Sequence, residues 1–201
     1  MIDAKILPLQ RWLLQAPARG LARWVTADQV SGLGFALGAL TVPALAFGQF
    51  GLALVLLGLN RVADGLDGAI ARISGPTDRG AFLDIALDFV FYALFPLGFA
   101  VADPGGNALA AAVLIASFVG TGSSFLAFAS IAARRGLTAA DYPGKGIYYL
   151  GGLTEGFETI AVFAAMALFP AWFPVLAYGY AVACCLSTVL RWRMGWQAFA
   201  L

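Results

Sequence analysis

Four carboxylates, Asp64, Asp67, Asp84 and Asp88, lie inside stretches that otherwise have the length and apolarity of membrane-crossing helices. A single carboxylate at the centre of a membrane helix costs about 2.5–3.5 kcal/mol on insertion scales, so four unpaired ones would cost on the order of 10 kcal/mol. A chain that carries them must fold so that they face one another and find a counter-charge. The spacing permits this. Residues 64, 67, 68, 71 and 72 fall on one face of a helix, and residues 80, 84 and 88 fall on one face of the next. The connector Ser74-Gly75-Pro76-Thr77-Asp78 contains both strong helix breakers. Two antiparallel helices therefore present two Asp each to a shared cleft.

Carboxylates about 4 Å apart repel by about 4 kcal/mol per pair at an effective dielectric of about 20. Arg72 adds one positive charge to the same stripe, which is too few. Divalent cations complete such a cluster, and an all-oxygen ligand set favours Mg2+ or Mn2+. Four carboxylates can clamp two ions about 3.5–4 Å apart, the arrangement used in phosphoryl chemistry. Gly68 and Gly80 remove side chains from the acidic faces and leave room for a ligand against the backbone. Polar glue between helices, or an ion path, would explain one intramembrane Asp. Four on two facing stripes, with glycine and arginine in register, ask for more.

Hydrophobic residues make up 61% of the 201 residues and charged residues 11%, where soluble domains carry about 25% charge. An all-α integral membrane protein follows. Six spans are expected at roughly 28–48, 51–74, 79–102, 107–134, 145–169 and 171–192, each long enough for a hydrocarbon core of about 30 Å. Residues 1–25 form an amphipathic interfacial segment ahead of a single transmembrane domain, 26–201. Within it, residues 2–15 mix apolar and charged side chains, with Pro8 weakening the middle. The basic residues sit on one side only: Lys5, Arg11, Arg19 and Arg23 before the first span, Arg72 and Arg79 at the second turn, Arg134, Arg135 and Lys145 between the fourth and fifth spans, and Arg191 and Arg193 at the end. With an even number of spans, both termini and the acidic cleft face the cytoplasm.

The net charge of +1 implies no nucleic-acid role. The chain has no His, which excludes His-based zinc sites, Ser-His-Asp triads and transferases with a nucleophilic His. Cys184 and Cys185 are vicinal and read as small buried residues. Small-xxx-small spacing at Gly34/Gly38 and Gly152/Gly156 reads as close packing of helices within the chain. Arg61 lies one turn before Asp64 and points toward the acids or a charged partner. A second polar set, Lys145, Tyr148, Tyr149, Thr154, Glu155 and Glu158, falls in the fifth span, where the two Glu are read as sharing a helix face.

Asp64-x-x-Asp67-Gly68-x-x-Ala71-Arg72, seven residues, then Gly80-x-x-x-Asp84-x-x-x-Asp88 resembles the signature of the CDP-alcohol phosphotransferases, with all eight fixed positions matched. Thr26-Ala27-Asp28-Gln29-Val30-Ser31 is similar to that family's entry into its first membrane helix, and Thr26 and Gln29 have the spacing of a capping box. The resemblance implies transfer of a phosphatidyl group from CDP-diacylglycerol to a small polar alcohol with release of CMP, in a homodimer of a bacterial inner membrane. It assigns the two metals to Asp64, Asp67, Asp84 and Asp88, the donor to Gly68, Ala71, Arg72 and Gly80, and general-base catalysis to Asp88. Arg61, Lys145, Glu155 and Glu158 are the candidates for the acceptor pocket. The loop residues Arg134, Arg135 and Lys145 suit a phosphorylated acceptor such as glycerol 3-phosphate or inositol phosphate. Glu155 and Glu158 suit serine or a neutral polyol. The competing class is a small cation transporter with the four Asp as its ion site. Arg72, a fixed cation in register with the acids, opposes that path.

Overall fold

The computed structural model describes residues 3–136 and 154–200, with side chains from residue 12 onward. Among the described residues every regular element is helical: α1 (Asp3–Leu21), α2 (Ala27–Ala39), α3 (Thr41–Ala46), α4 (Phe50–Ser74), α5 (Asp78–Ala102), α6 (Pro104–Arg134), α7 (Gly156–Leu168), a 3-10 turn at Pro170–Trp172, and α8 (Phe173–Ala198). α2 packs on α4 and α5, α6 lies between α5 and α8, and α7 reaches α4 and α8.

Local chemistry sets the helix ends. Thr26 and Gln29 form a reciprocal capping box at the start of α2, with Gln29 Oε1 accepting from Thr26 N at 3.0 Å and Thr26 Oγ1 from Gln29 N at 3.3 Å. The span expected at 28–48 is divided, because Pro43 has no amide to donate to the carbonyl of Ala39, where α2 ends. Gly75, at φ +95°, ends α4, and the Thr77 hydroxyl accepts from Gly80 N at 3.0 Å to start α5. α5 continues through Pro96.

Among the described residues four helical stretches have the length and apolarity to cross a membrane: Ala27–Ala46, Asp78–Ala102, Pro104–Arg134 and Pro170–Ala198. Two of the six expected spans differ. α4 has 25 residues, but its second half carries Arg61, Asp64, Asp67 and Arg72. α7 as described has 13 residues, about 20 Å of helix. The first part of the expected 145–169 span, with Lys145, Tyr148, Tyr149 and Gly152, lies outside the described residues.

α1 is longer than the 2–15 stretch read from sequence and continues through Pro8 and Pro17. Ala18 is fully buried in a cluster with Ala63, Ala69 and Ile70 of α4, while Trp12, Leu13 and Trp24 stay exposed. Exposed aromatics flanking an apolar bundle are the usual anchors at a membrane interface. The main core is aromatic: Phe95 stacks on Phe163 at 4.3–4.4 Å centroid separation, as Phe99 does on Phe173, and Phe91 meets Phe163 edge to face. Gly34 and Gly38 serve packing within the chain. A Cβ on Gly34 would stand 2.8 Å from Ala63 Cβ, and one on Gly38 would stand 2.7 Å from Phe91.

Candidate active site

The α4–α5 hairpin and α2 form an open cleft whose walls include all four acids, Asp64, Asp67, Asp84 and Asp88. Asp64, Asp84 and Asp88 each offer a carboxylate oxygen within 4.8 Å of the other two. Asp67 is buried and turns the other way within the cleft, accepting a hydrogen bond from Ser31 Oγ of α2 at 2.5 Å. The antiparallel hairpin thus brings the two acidic stripes together as the spacing anticipates, and α2 closes the third side.

Arg61 occupies the inner end of the cluster. Its Nη2 donates to Asp88 Oδ1 at 3.0 Å, its Nη1 lies 3.6 Å from Asp64 Oδ2, and its Nε donates to Asn60 Oδ1 at 2.8 Å. The guanidinium carbon stands 5.2 Å from the centre of the Phe91 ring. Asn60 is itself fixed, donating through Nδ2 to the Gly34 carbonyl at 2.8 Å. Tyr92 OH reaches the second oxygen of Asp88 at 3.5 Å. Three like charges within 4.8 Å of one another would repel by several kcal/mol. One arginine among three converging carboxylates leaves an excess of negative charge. The ligand atoms are hard oxygens, and among the described residues no softer ligand lines the cleft, so the residues present fit Mg2+ or Mn2+.

The donor-side residues lie toward the turn between α4 and α5. Arg72 is exposed, with Nη1 3.4 Å from the point a Gly68 Cβ would occupy, so its guanidinium folds over the Gly68 backbone. Ala71 is half-buried beside it. Gly80 serves an approach between helices: a Cβ there would stand 3.2 Å from Asp28 Oδ1 and 3.1 Å from Thr77 Oγ1. Asp28 pairs in turn with Arg79.

The reading of Glu155 and Glu158 as one helical face is corrected. α7 begins at Gly156, and Glu155 is its N-cap residue in extended conformation (φ −108°, ψ −177°). Glu155 is buried, and Glu158 is half-buried in the first turn. A helix start with two acids places them at the positive end of the α7 dipole, which offsets part of their burial cost. Hydroxyls surround the spot: Thr159 Oγ1 donates to the Glu155 carbonyl at 2.8 Å, Tyr180 OH lies 2.8 Å from the same hydroxyl, and Thr154 bonds Ser187. Lys145, the other acceptor-pocket candidate, lies outside the described residues. Arg135 is engaged elsewhere, donating to the Phe199 carbonyl at 3.1 Å and stacking over its ring.

The sequence reading missed Asn60, Tyr92 and the role of Ser31. Tyr92 extends the 80–84–88 stripe by one more turn, a signal that was present. Asn60 was marked only by its place beside Arg61.

An all-helical membrane bundle with a carboxylate cleft suited to hard divalent cations defines the class. The sequence model of the CDP-alcohol phosphatidyltransferase family matches residues 24–198, and the chain belongs to that family. It is 48% identical over 192 residues to Inner membrane protein YnjF of Escherichia coli K12, covering 95% of this chain and 93% of that protein. It is 41% identical over 101 residues to the Bifunctional IPC transferase and DIPP synthase of Rubrobacter xylanophilus, but this covers only 23% of that longer protein and 45% of the chain. The crystal structure of Mycobacterium tuberculosis phosphatidylinositol phosphate synthase (PgsA1) with CDP-DAG bound has the same fold. Its TM-score is 0.72 at 24% identity, over 91% of this chain and 93% of that one.

Proposed function

We propose that the protein transfers a phosphatidyl group from CDP-diacylglycerol to the hydroxyl of a small polar alcohol and releases CMP. The observation that carries this is the convergence of Asp64, Asp84 and Asp88 within 4.8 Å in a chain of this family. The diacylglycerol donor is supported by the mycobacterial neighbour, whose structure holds CDP-DAG. Asp64, Asp67, Asp84 and Asp88 would hold two divalent cations, which when bound neutralise the diphosphate and the charge developing at phosphorus. Arg72, exposed above the Gly68 backbone, binds phosphate oxygens. Asp88 takes the proton of the acceptor hydroxyl as that oxygen bonds to the lipid phosphorus, and the bond from phosphorus to the CMP oxygen breaks. Arg61 and Tyr92 orient Asp88 for this through the contacts at 3.0 and 3.5 Å. Positioning of donor, acceptor and base, with neutralisation of the charge at phosphorus, accounts for most of the catalysis such a site can offer.

Arg61, Glu155, Glu158 and Lys145 are the candidate acceptor contacts, of which Arg61 lines the acidic cleft. Glycerol 3-phosphate is the first acceptor to test, followed by inositol phosphate, serine and a neutral polyol. The termini and cleft face the cytoplasm, the membrane is a bacterial inner membrane as for the E. coli relative, and the working unit is a homodimer. Arg61, wedged between Asp64 and Asp88, opposes use of the cluster as a cation path.

Purified protein supplied with CDP-diacylglycerol, Mg2+ and each alcohol in turn tests the reading. CMP release that requires both an alcohol and a divalent cation is expected. No CMP with any alcohol, or full turnover after exhaustive chelation, overturns it.

A further inference from the structure

We infer that Arg61 is an internal counterion. It holds Asp64 and Asp88 in place before any divalent cation arrives, and it lowers the affinity of the cluster for that cation. The inference rests on the metal reading above. Its basis is the way the side chain is held. An arginine in a polar cleft ordinarily samples several rotamers, and ordering it costs up to about 2 kcal/mol. Arg61 is fixed on each of its working edges: Nη2 on Asp88 at 3.0 Å, Nη1 near Asp64 at 3.6 Å, Nε on Asn60 at 2.8 Å, and the guanidinium face 5.2 Å from the Phe91 ring centre. The anchor is itself immovable. Asn60 is 3% exposed, bonds the Gly34 carbonyl at 2.8 Å, and has its Nδ2 2.9 Å from where a Gly38 Cβ would stand. Arg61 therefore cannot swing away at small cost when another cation enters.

Two consequences follow from charge alone. Without divalent cations, one guanidinium relieves part of the repulsion between Asp64 and Asp88, so the cleft keeps its shape. With them, the same fixed positive charge repels the incoming ion in a site of low dielectric. Arg61 is thus a positioning residue that exchanges affinity for order, and it keeps Asp88 aimed into the cleft in the unloaded protein.

Thermal unfolding of the full chain in detergent, in chelator and across a Mg2+ titration, reads both effects without turnover. The wild type should gain melting temperature with Mg2+. Arg61→Gln should melt lower in chelator, gain more from saturating Mg2+, and reach half its gain at a several-fold lower concentration. If Arg61→Gln does not accumulate, Arg61→Lys is measured the same way. One ammonium cannot serve Asp64, Asp88 and Asn60 together, so its chelated form should also melt below wild type and its Mg2+ midpoint should shift. A wild type indifferent to Mg2+ removes the metal reading and this inference with it. A wild type that responds, with a variant whose midpoint is unchanged or higher, removes this inference alone.

Discussion

α4 and α5 each have two ends of opposite character. At one end Asp64, Asp67, Asp84 and Asp88 gather around Arg61; at the other Phe95 and Phe99 stack on Phe163 and Phe173. Along α5 the change from carboxylate cleft to aromatic core takes about two to three turns, from Asp88 to Phe95 and Phe99. Phe91 joins the regions, with one face toward Arg61 and an edge toward Phe163. In water the apolar stripe of a helix marks the inside. In a bilayer apolar groups are at home on the outside as well, so the polar stripe is the one that reports the interior. Exposed Leu, Val and Trp are numerous on this bundle, whereas Asp67, Asn60, Glu155 and Arg191 are buried. The aromatic end supplies shape and rigidity, and the acidic end supplies chemistry.

Three variants separate these contributions. Asp88→Asn touches the acidic end only. If Asp88 is the base, transfer should fall by about 10²–10⁴-fold, as loss of a general base typically does, while CDP-diacylglycerol binding stays measurable because Asp64, Asp67 and Asp84 remain. Turnover within a few-fold of wild type would withdraw the assignment. Phe163→Ala removes a ring of the aromatic end that meets the acidic end only through Phe91 and Tyr92. Truncating a buried Phe costs about 3–5 kcal/mol, so the melting temperature should drop sharply while the half-saturating Mg2+ concentration of the folded fraction stays put. A large shift in that concentration would show that the two ends are not separable. The smallest effect is expected from Glu155→Gln with Glu158→Gln. A hydrogen bond to a charged group is worth about 1.5–3 kcal/mol, so the apparent KM for the alcohol should rise several-fold or more with donor affinity unchanged. Equal loss of donor binding would make these acids structural partners of a basic group.

The helix pair and its acidic stripes were legible because fixed spacings of 3 and 4 on either side of a Gly-Pro turn leave one antiparallel solution. The capping box at Thr26, the direction of Arg61 and the packing role of Gly34 were legible for similar local reasons. What was not legible depended on partners distant in sequence. Asp67 takes its hydrogen bond from Ser31, 36 residues away in the sequence. Asn60 matters through a carbonyl on α2. The start of α7 at Gly156 escaped because Glu155 and Glu158 have the spacing of one helical turn, and only the extended backbone at Glu155 marks it as the N-cap. Among the described residues α4 lacks the apolarity of the other long helices, because charges fill its second half, a cost that length alone does not show.

The hydrogen atom that Gly38 carries in place of a side chain has a reach beyond packing. A methyl group there would press on Phe91 at 2.7 Å and on Asn60 Nδ2 at 2.9 Å, the two groups that hold Arg61 from below and behind. Substitution at position 38 is thus read out at position 61, and smaller residues at 91 would relieve the clash only by removing the ring beneath the cation. Positions 38, 60, 61 and 91 therefore form a coupled set, and the effects of substitutions among them should not add.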